Sequence, residues 1–178
     1  MAKDEQFGFK RLSLDNWLTI DPAWRGVVMS NSVGRPDLSW VHDLVQTNLS
    51  PEVPIEVRNL FDVARGALIY SLVFYPLLAL GIEQMYRVAD VATVVRCTAA
   101  SADDKATKRY VDRIDWLGKN DIIAGEDIQR WHALRMLRND TSHPKDQMIM
   151  APGIVLSMIS DIIELVDLLF ADNTPATT

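Results

Sequence analysis

Apolar residues recur at intervals of three and four positions through most of the chain after residue 55, which is the spacing of one helix face. Pro76 kinks or restarts the first helix, and a second long helix continues from there towards Arg96. Three more helices follow: one that stops near Gly118, one that runs to Arg138, and one from about Pro152 to Phe170. Because no useful length of chain alternates like a strand, the pattern predicts an all-α bundle of about five helices.

The first 55 residues differ from the rest of the chain in composition, because they hold four of the eight prolines and three of the five tryptophans. Short apolar pieces alternate there with Gly and Pro breaks, which is typical of a wrapped extension with one or two short helices. We therefore expect an extension over residues 1–55 that packs on a helical body of residues 56–171, followed by a flexible tail over residues 172–178. The tryptophans are expected to pack on the body, with an exposed partner surface as the alternative.

Composition narrows the classes of protein that fit this pattern. With 178 residues, 48% hydrophobic and 24% charged, the chain matches a soluble globular domain with one main core. Eighteen Lys and Arg against 24 Asp and Glu give a net charge of -6, which argues against coating nucleic acid by bulk charge. The single cysteine, Cys97, excludes a disulfide scaffold and a Cys-based zinc cluster, and we expect neither a metal nor another cofactor.

One uncharged run of 17 residues, from Gly66 to Ile82, has the marginal length of a short membrane span. Pro76 interrupts it and charged helical sequence follows it, so a buried core helix is favoured and no membrane partner is expected. The start of the sequence lacks the apolar core of a signal peptide. We therefore expect a cytoplasmic protein.

Charge is distributed unevenly along the chain. Residues 1–104 carry 9 basic and 13 acidic groups, residues 105–145 carry 9 and 6, and residues 146–178 carry none and 5. The basic segment coincides with the third and fourth helices of the predicted body. A solvated surface is its ordinary explanation, unless other features point to the same segment.

Arg138 and His143 are such features. Arg138 follows Trp131 by seven residues and Leu134 by four, which places it on the apolar side of its helix. A guanidinium there requires an ion pair, an interface or an anionic ligand, because burying it uncompensated is costly. His143 precedes Pro144, so the helix is expected to end at or before His143, and the imidazole can then turn back towards Arg138.

Two interpretations of this pair remain open. Arginine and histidine in one cleft are capable of chemistry, because a guanidinium binds phosphate in a bidentate way and an imidazole exchanges protons near neutral pH. In the structural interpretation the His-Pro step only ends the helix, and Arg138 pairs with a carboxylate such as Asp112, Asp115 or Glu83.

Three features follow one another over residues 56–171: a long apolar helix with Tyr70, Phe74, Tyr75 and Pro76, then Glu83-Gln84-Met85-Tyr86, then Trp131-His132-Ala133-Leu134-Arg135-Met136-Leu137-Arg138-Asn139-Asp140-Thr141-Ser142-His143-Pro144. This order resembles the HEPN superfamily of helical bundles. The signature of that superfamily is an arginine, often followed by a polar residue, with four to six positions before a histidine. Arg138, Asn139 and His143 fit it with four intervening residues.

The resemblance implies a metal-independent endoribonuclease that acts as a homodimer, with the two motifs facing each other across a shared cleft. His143 would be the general base on the ribose 2′-hydroxyl or the general acid on the leaving oxygen, Arg138 would hold the scissile phosphate, and Asn139 would orient either group. RNA but not DNA would be cut, and a cyclic phosphate would remain. Arg135 and Lys145 flank the motif as candidate RNA-binding residues, or as ordinary surface charges.

We therefore expect an enzyme, a ribonuclease of a bacterial defence or toxin-type system, with RNA and an antitoxin or regulatory protein as partners. One alternative is a non-catalytic module that binds a nucleotide, an RNA or a protein through the same cleft. Another is a dimerisation scaffold in which Arg138 bridges to a carboxylate of the partner chain. The acidic segment 146–178 would repel RNA if it lay beside the cleft.

Overall fold

The computed structural model describes residues 10–24, 38–105, 107–141 and 152–171. In these ranges the chain forms helices joined by turns and no strand, so the predicted all-α bundle is confirmed. The described helices are α1 (Leu38–Gln46), α2 (Ile55–Tyr70), α3 (Leu77–Ala99), α4 (Tyr110–Lys119), α5 (Ile128–Thr141) and α6 (Pro152–Phe170). Helices α2 to α6 are the five of the predicted body, and α1 is a short helix of the preceding extension.

Helix α3 is the centre of the bundle, because it contacts α2, α4, α5 and α6. Several of its buried residues are small, namely Gly81, Ala89, Ala92 and Thr93. Gly81 is needed for the close approach of α2, since a Cβ atom at that position would lie 2.7 Å from the Leu68 side chain. Small residues on α3 therefore allow four neighbouring helices to pack around it.

The uncharged run from Gly66 to Ile82 is divided between two helices. Helix α2 ends at Tyr70, and Pro76 stands immediately before α3. Proline is tolerated there because the N–H groups at the start of a helix have no acceptor within the helix, so the N–H that proline lacks costs no hydrogen bond. No helix in the described ranges is long and apolar enough to cross a membrane.

Two tryptophans of the extension complete the end of α2. The indole nitrogen of Trp24 donates a hydrogen bond to the Ser71 carbonyl at 2.8 Å, and that of Trp40 donates to the Leu68 carbonyl at 3.1 Å. Both rings are almost fully buried, and the Trp24 ring meets the Tyr75 ring edge-on with centroids 4.8 Å apart. The last carbonyls of α2 are thus satisfied by side chains from a distant part of the chain.

Part of the described extension is exposed to solvent. The side chain of Trp17 is 55% exposed, and its neighbour Leu18 is exposed as well. The fold therefore contains both buried and exposed tryptophans in the segment that precedes the body.

Candidate functional site

Asp90 of α3 is the centre of a charged cluster between three helices. One of its carboxylate oxygens lies 3.0 Å from the guanidinium of Arg138 on α5, and the other accepts a hydrogen bond from Arg113 on α4. Both guanidinium carbons also lie within 6 Å of the centre of the Tyr110 ring, at 5.6 Å for Arg113 and 5.9 Å for Arg138. We call Asp90, Tyr110, Arg113 and Arg138 the Asp90 cluster.

The two arginines of the Asp90 cluster differ in exposure. Arg113 is 9% exposed, and its other donors reach the Thr93 hydroxyl at 3.0 Å and the carbonyls of Thr107 and Lys108 at 3.2 and 3.3 Å. Arg138 is 39% exposed. Arg113 is therefore enclosed by protein, whereas Arg138 is held by Asp90 and also reaches solvent.

Tyr110 brings an unsatisfied polar atom to the same cluster. Its hydroxyl is buried and makes no hydrogen bond to any residue that the structure describes, and the buried Nε of Arg135 is in the same condition. Burial, and then the nearby charge of Asp90, raise the pKa of the Tyr110 phenol well above its usual value. Because an unsatisfied buried donor costs roughly 1–3 kcal/mol, such atoms often mark the place of a ligand or an ordered water.

A cavity of about 740 Å³ opens beside the cluster, between α2, α3 and α5. Its apolar lining is Val63, Ala67, Leu77, Leu80 and Val91, and its polar lining is Glu83, Gln84, Arg87, Asp90 and Arg138. We call this cavity the α3 groove. It has the volume of a typical small-molecule or nucleotide site, and its lining includes both a partly exposed guanidinium and an apolar wall.

The structure describes some of the predicted site residues and not others. Arg138 belongs to the cluster and lines the groove, Asn139 beside it is exposed, and Arg135 is half-buried. His143 and Lys145 lie outside the described residues, His143 by two positions after the end of α5.

The carboxylate partner of Arg138 is none of the three that the sequence offered. Asp112 binds Arg109 at 2.7 Å, Asp115 binds His132 at 3.2 Å, and Glu83 lines the α3 groove. Asp90 was not among the carboxylates considered for Arg138. Its spacing was an available signal, since it lies four residues after buried Tyr86 and three before buried Thr93.

A second charged group lies near the other end of α5. Arg130 binds Asp127 at 2.9 Å and, on α6, Glu164 at 2.7 Å and Asp161 at 3.8 Å. These four residues are the Arg130 network. Hydrogen bonds from Arg130 lower the pKa of Glu164 below its usual value of 4.5. Two of the acidic residues of segment 146–178 are therefore found at Arg130 and not at Arg138.

Across the ranges described, no group of three or more His, Cys, Asp or Glu side chains is arranged to hold a metal ion. No model of a known protein family matches the chain, and neither does any curated protein or solved structure. Function is therefore inferred from the side chains of the site itself.

Proposed function

We propose that the protein is a metal-independent endoribonuclease of HEPN type. The observation that supports this function best is the setting of Arg138, a partly exposed guanidinium that Asp90 orients at the edge of the α3 groove. It is followed in the sequence by Asn139 and, five positions on, by His143. The sequence thus places a residue able to transfer protons five positions after a phosphate-binding group.

The charge of the Asp90 cluster favours an anionic ligand. Two guanidiniums share one carboxylate, so the cluster carries a net charge of +1. Arg113 is enclosed, and Arg138 is the member of the pair that a ligand can reach. A phosphate placed against the exposed part of Arg138 would receive charge-assisted hydrogen bonds from its guanidinium.

In the proposed reaction His143 removes the proton of the ribose 2′-hydroxyl, whose oxygen attacks the adjacent phosphorus. The bond from phosphorus to the 5′-oxygen breaks, that oxygen takes up the proton that His143 removed, directly or through water, and a 2′,3′-cyclic phosphate remains. Arg138 stabilises the charge that develops on the phosphate, and Asn139 orients the phosphate or the imidazole. Arg135 and Lys145 are the candidates for holding the flanking backbone. DNA lacks the 2′-hydroxyl and is not cut.

We also propose that the enzyme acts as a homodimer. Met136 and Leu137, which immediately precede Arg138 on α5, are 59% and 44% exposed, although they are large apolar side chains. A second copy that covered them would place its own Arg138 near that of the first. In a defence or toxin-type system, an antitoxin or regulatory protein would restrain the activity of such a cleft.

The experiment that tests the ribonuclease incubates purified wild-type protein and His143→Ala with total RNA in the presence of a chelator. We expect wild-type protein to produce fragments that end in cyclic phosphate, and His143→Ala to produce none. His132→Ala is the matched control, because His132 lies on α5 but pairs with Asp115, and it should cleave like wild type. Equal cleavage by wild type and His143→Ala would refute the proposed role of His143.

One observation favours a second candidate function, a non-catalytic module that binds RNA, a nucleotide or a protein. Arg138 already has a carboxylate partner in its own chain, as a structural arginine would. A module of this kind would retard RNA in a gel and leave its length unchanged. The same intrachain pair weighs against a scaffold in which Arg138 bridges to a carboxylate of a partner chain.

A further inference from the structure

The α3 groove contains two charged side chains one helical turn apart on α3. Glu83 and Arg87 are both exposed, and both line the groove. Glutamate and arginine at this spacing commonly form an ion pair. Among the described residues, however, neither side chain makes an ion pair or a hydrogen bond. The carboxylate of Glu83, an acceptor, and the guanidinium of Arg87, a donor, therefore line one groove and bind no other described residue.

The remaining wall of the groove is apolar. Val63 and Ala67 of α2 and Leu77, Leu80 and Val91 of α3 line it. Val63 and Leu80 are more than half exposed, so this apolar surface is open to solvent. A base of single-stranded RNA would match this combination of apolar wall and charged side chains, because an unstacked base has an apolar face and a polar edge.

The order of donors and acceptors on the base edge decides which base fits. Guanine presents two adjacent donors, N1–H and the N2 amino group, which one carboxylate accepts together. It also presents two adjacent acceptors, O6 and N7, which one guanidinium satisfies together. Adenine and cytosine each place a ring acceptor beside their single amino group, where it would face the carboxylate oxygens. Uracil has one N–H between two carbonyls.

We propose that the α3 groove is a subsite for an unstacked guanine of single-stranded RNA, with Glu83 on its donor edge and Arg87 on its acceptor edge. Arg138 lines the same groove, so the phosphate of that nucleotide or of its neighbour lies at the candidate catalytic arginine. This inference rests on the proposed ribonuclease function, and it adds the base beside which the enzyme cuts.

Binding is tested with short single-stranded oligonucleotides that carry 2′-O-methyl groups and therefore cannot be cleaved through the 2′-hydroxyl. They differ at one central position, which is guanine, adenine, cytosine or uracil, and binding is followed by fluorescence anisotropy. We expect the guanine oligonucleotide to bind about tenfold more tightly than the others, since a bidentate base contact discriminates by about that factor or more.

Glu83→Gln should remove most of the preference for guanine, because an amide presents one donor where the base requires a second acceptor. Glu56→Gln is the matched control: it makes the same change at an exposed glutamate of α2 that is not part of the groove, and it should keep the preference. A cleavage map of unmodified RNA completes the experiment, with cuts expected beside guanine in the wild type and at mixed bases in Glu83→Gln.

The outcomes separate the two proposals. Preferential binding of guanine without cleavage would support the guanine subsite and overturn the ribonuclease. Cleavage with no base preference would support the ribonuclease and overturn the subsite. Preference for another base, or a guanine preference that Glu83→Gln retains, would also overturn the subsite. Failure to bind any oligonucleotide would overturn the subsite and, if unmodified RNA is also left intact, the ribonuclease.

Discussion

Two arginines of helix α5 have opposite electrostatic settings. Arg138 and Arg113 share the single carboxylate of Asp90, so their cluster carries a net charge of +1. Arg130 faces three carboxylates, so its network carries a net charge of -2. The first arginine lines a cavity of about 740 Å³, while the second contacts the exposed side chains of Asp161 and Glu164 and the largely buried side chain of Asp127. Counted over these named residues, the groups around the two arginines of one helix have net charges of opposite sign.

From this difference we expect the balance of carboxylates, more than the arginine itself, to decide where an anion binds. Eight residues separate the two arginines, a rise of about 12 Å along the helix. This exceeds the Debye length of about 8 Å at physiological ionic strength, so the two fields are largely independent. A polyanion is expected to bind near Arg138 and to avoid Arg130.

The largest expected effect is on stability, in Asp90→Ala. This change leaves the enclosed guanidinium of Arg113 without its carboxylate, and breaking a buried ion pair on one side costs about 3–5 kcal/mol. Asp161→Ala, in the exposed Arg130 network, should cost less than about 1 kcal/mol. Urea denaturation of the two variants measures both values, and equal losses would erase the contrast between the networks.

The next effect is on RNA cleavage. Arg138→Ala should lower the cleavage rate by about 10²–10³, the usual loss when one group that stabilises developing charge is removed. Asp90 still pairs with Arg113 in this variant, so the fold should persist. Arg130→Ala is the counterpart from the same helix and should cleave near the wild-type rate. A similar loss in both variants would mean that the net charge of the protein, and not the site, controls activity.

A smaller effect is expected for Tyr110→Phe. The buried hydroxyl has no partner among the described residues, so removing it should raise the free energy of unfolding by about 0.5–1 kcal/mol. Tyr70→Phe, at a side chain that is mostly exposed, should leave stability unchanged. Chemical denaturation distinguishes the two. A stability loss in Tyr110→Phe would instead reveal an ordered water or another partner at the hydroxyl.

The smallest effect concerns the Arg130 network and depends on pH. Arg130 lowers the pKa of Glu164 in the folded protein, so the pair stabilises the fold above pH 4.5 and loses this contribution as the pH falls through the lowered value. Glu164→Gln should therefore melt slightly below wild type near neutral pH, and the two melting curves should converge in acid. A difference in melting temperature that grew as the pH fell would contradict a stabilising role for ionised Glu164.

Periodicity was sufficient to predict the helices, because each one buries a stripe whose spacing is visible in the sequence. It also placed Arg138 on the side of α5 that carries Trp131 and Leu134, both buried. It could not predict that Asp90 is the partner of Arg138, since those residues are 48 positions apart and meet only through the packing of α5 on α3. The α3 groove was missed for the same reason, because α2, α3 and α5 all contribute to its lining.

The two buried indoles of the extension have a consequence for synthesis on the ribosome. Trp24 donates to a carbonyl 47 residues further along the chain, and Trp40 to one 28 residues further along. At about 5–20 residues per second, roughly 2–9 s pass between the synthesis of Trp24 and that of Ser71. Until that interval has passed, the carbonyl that accepts the hydrogen bond of Trp24 does not exist, so this part of the extension can take its place only after α2 has been made.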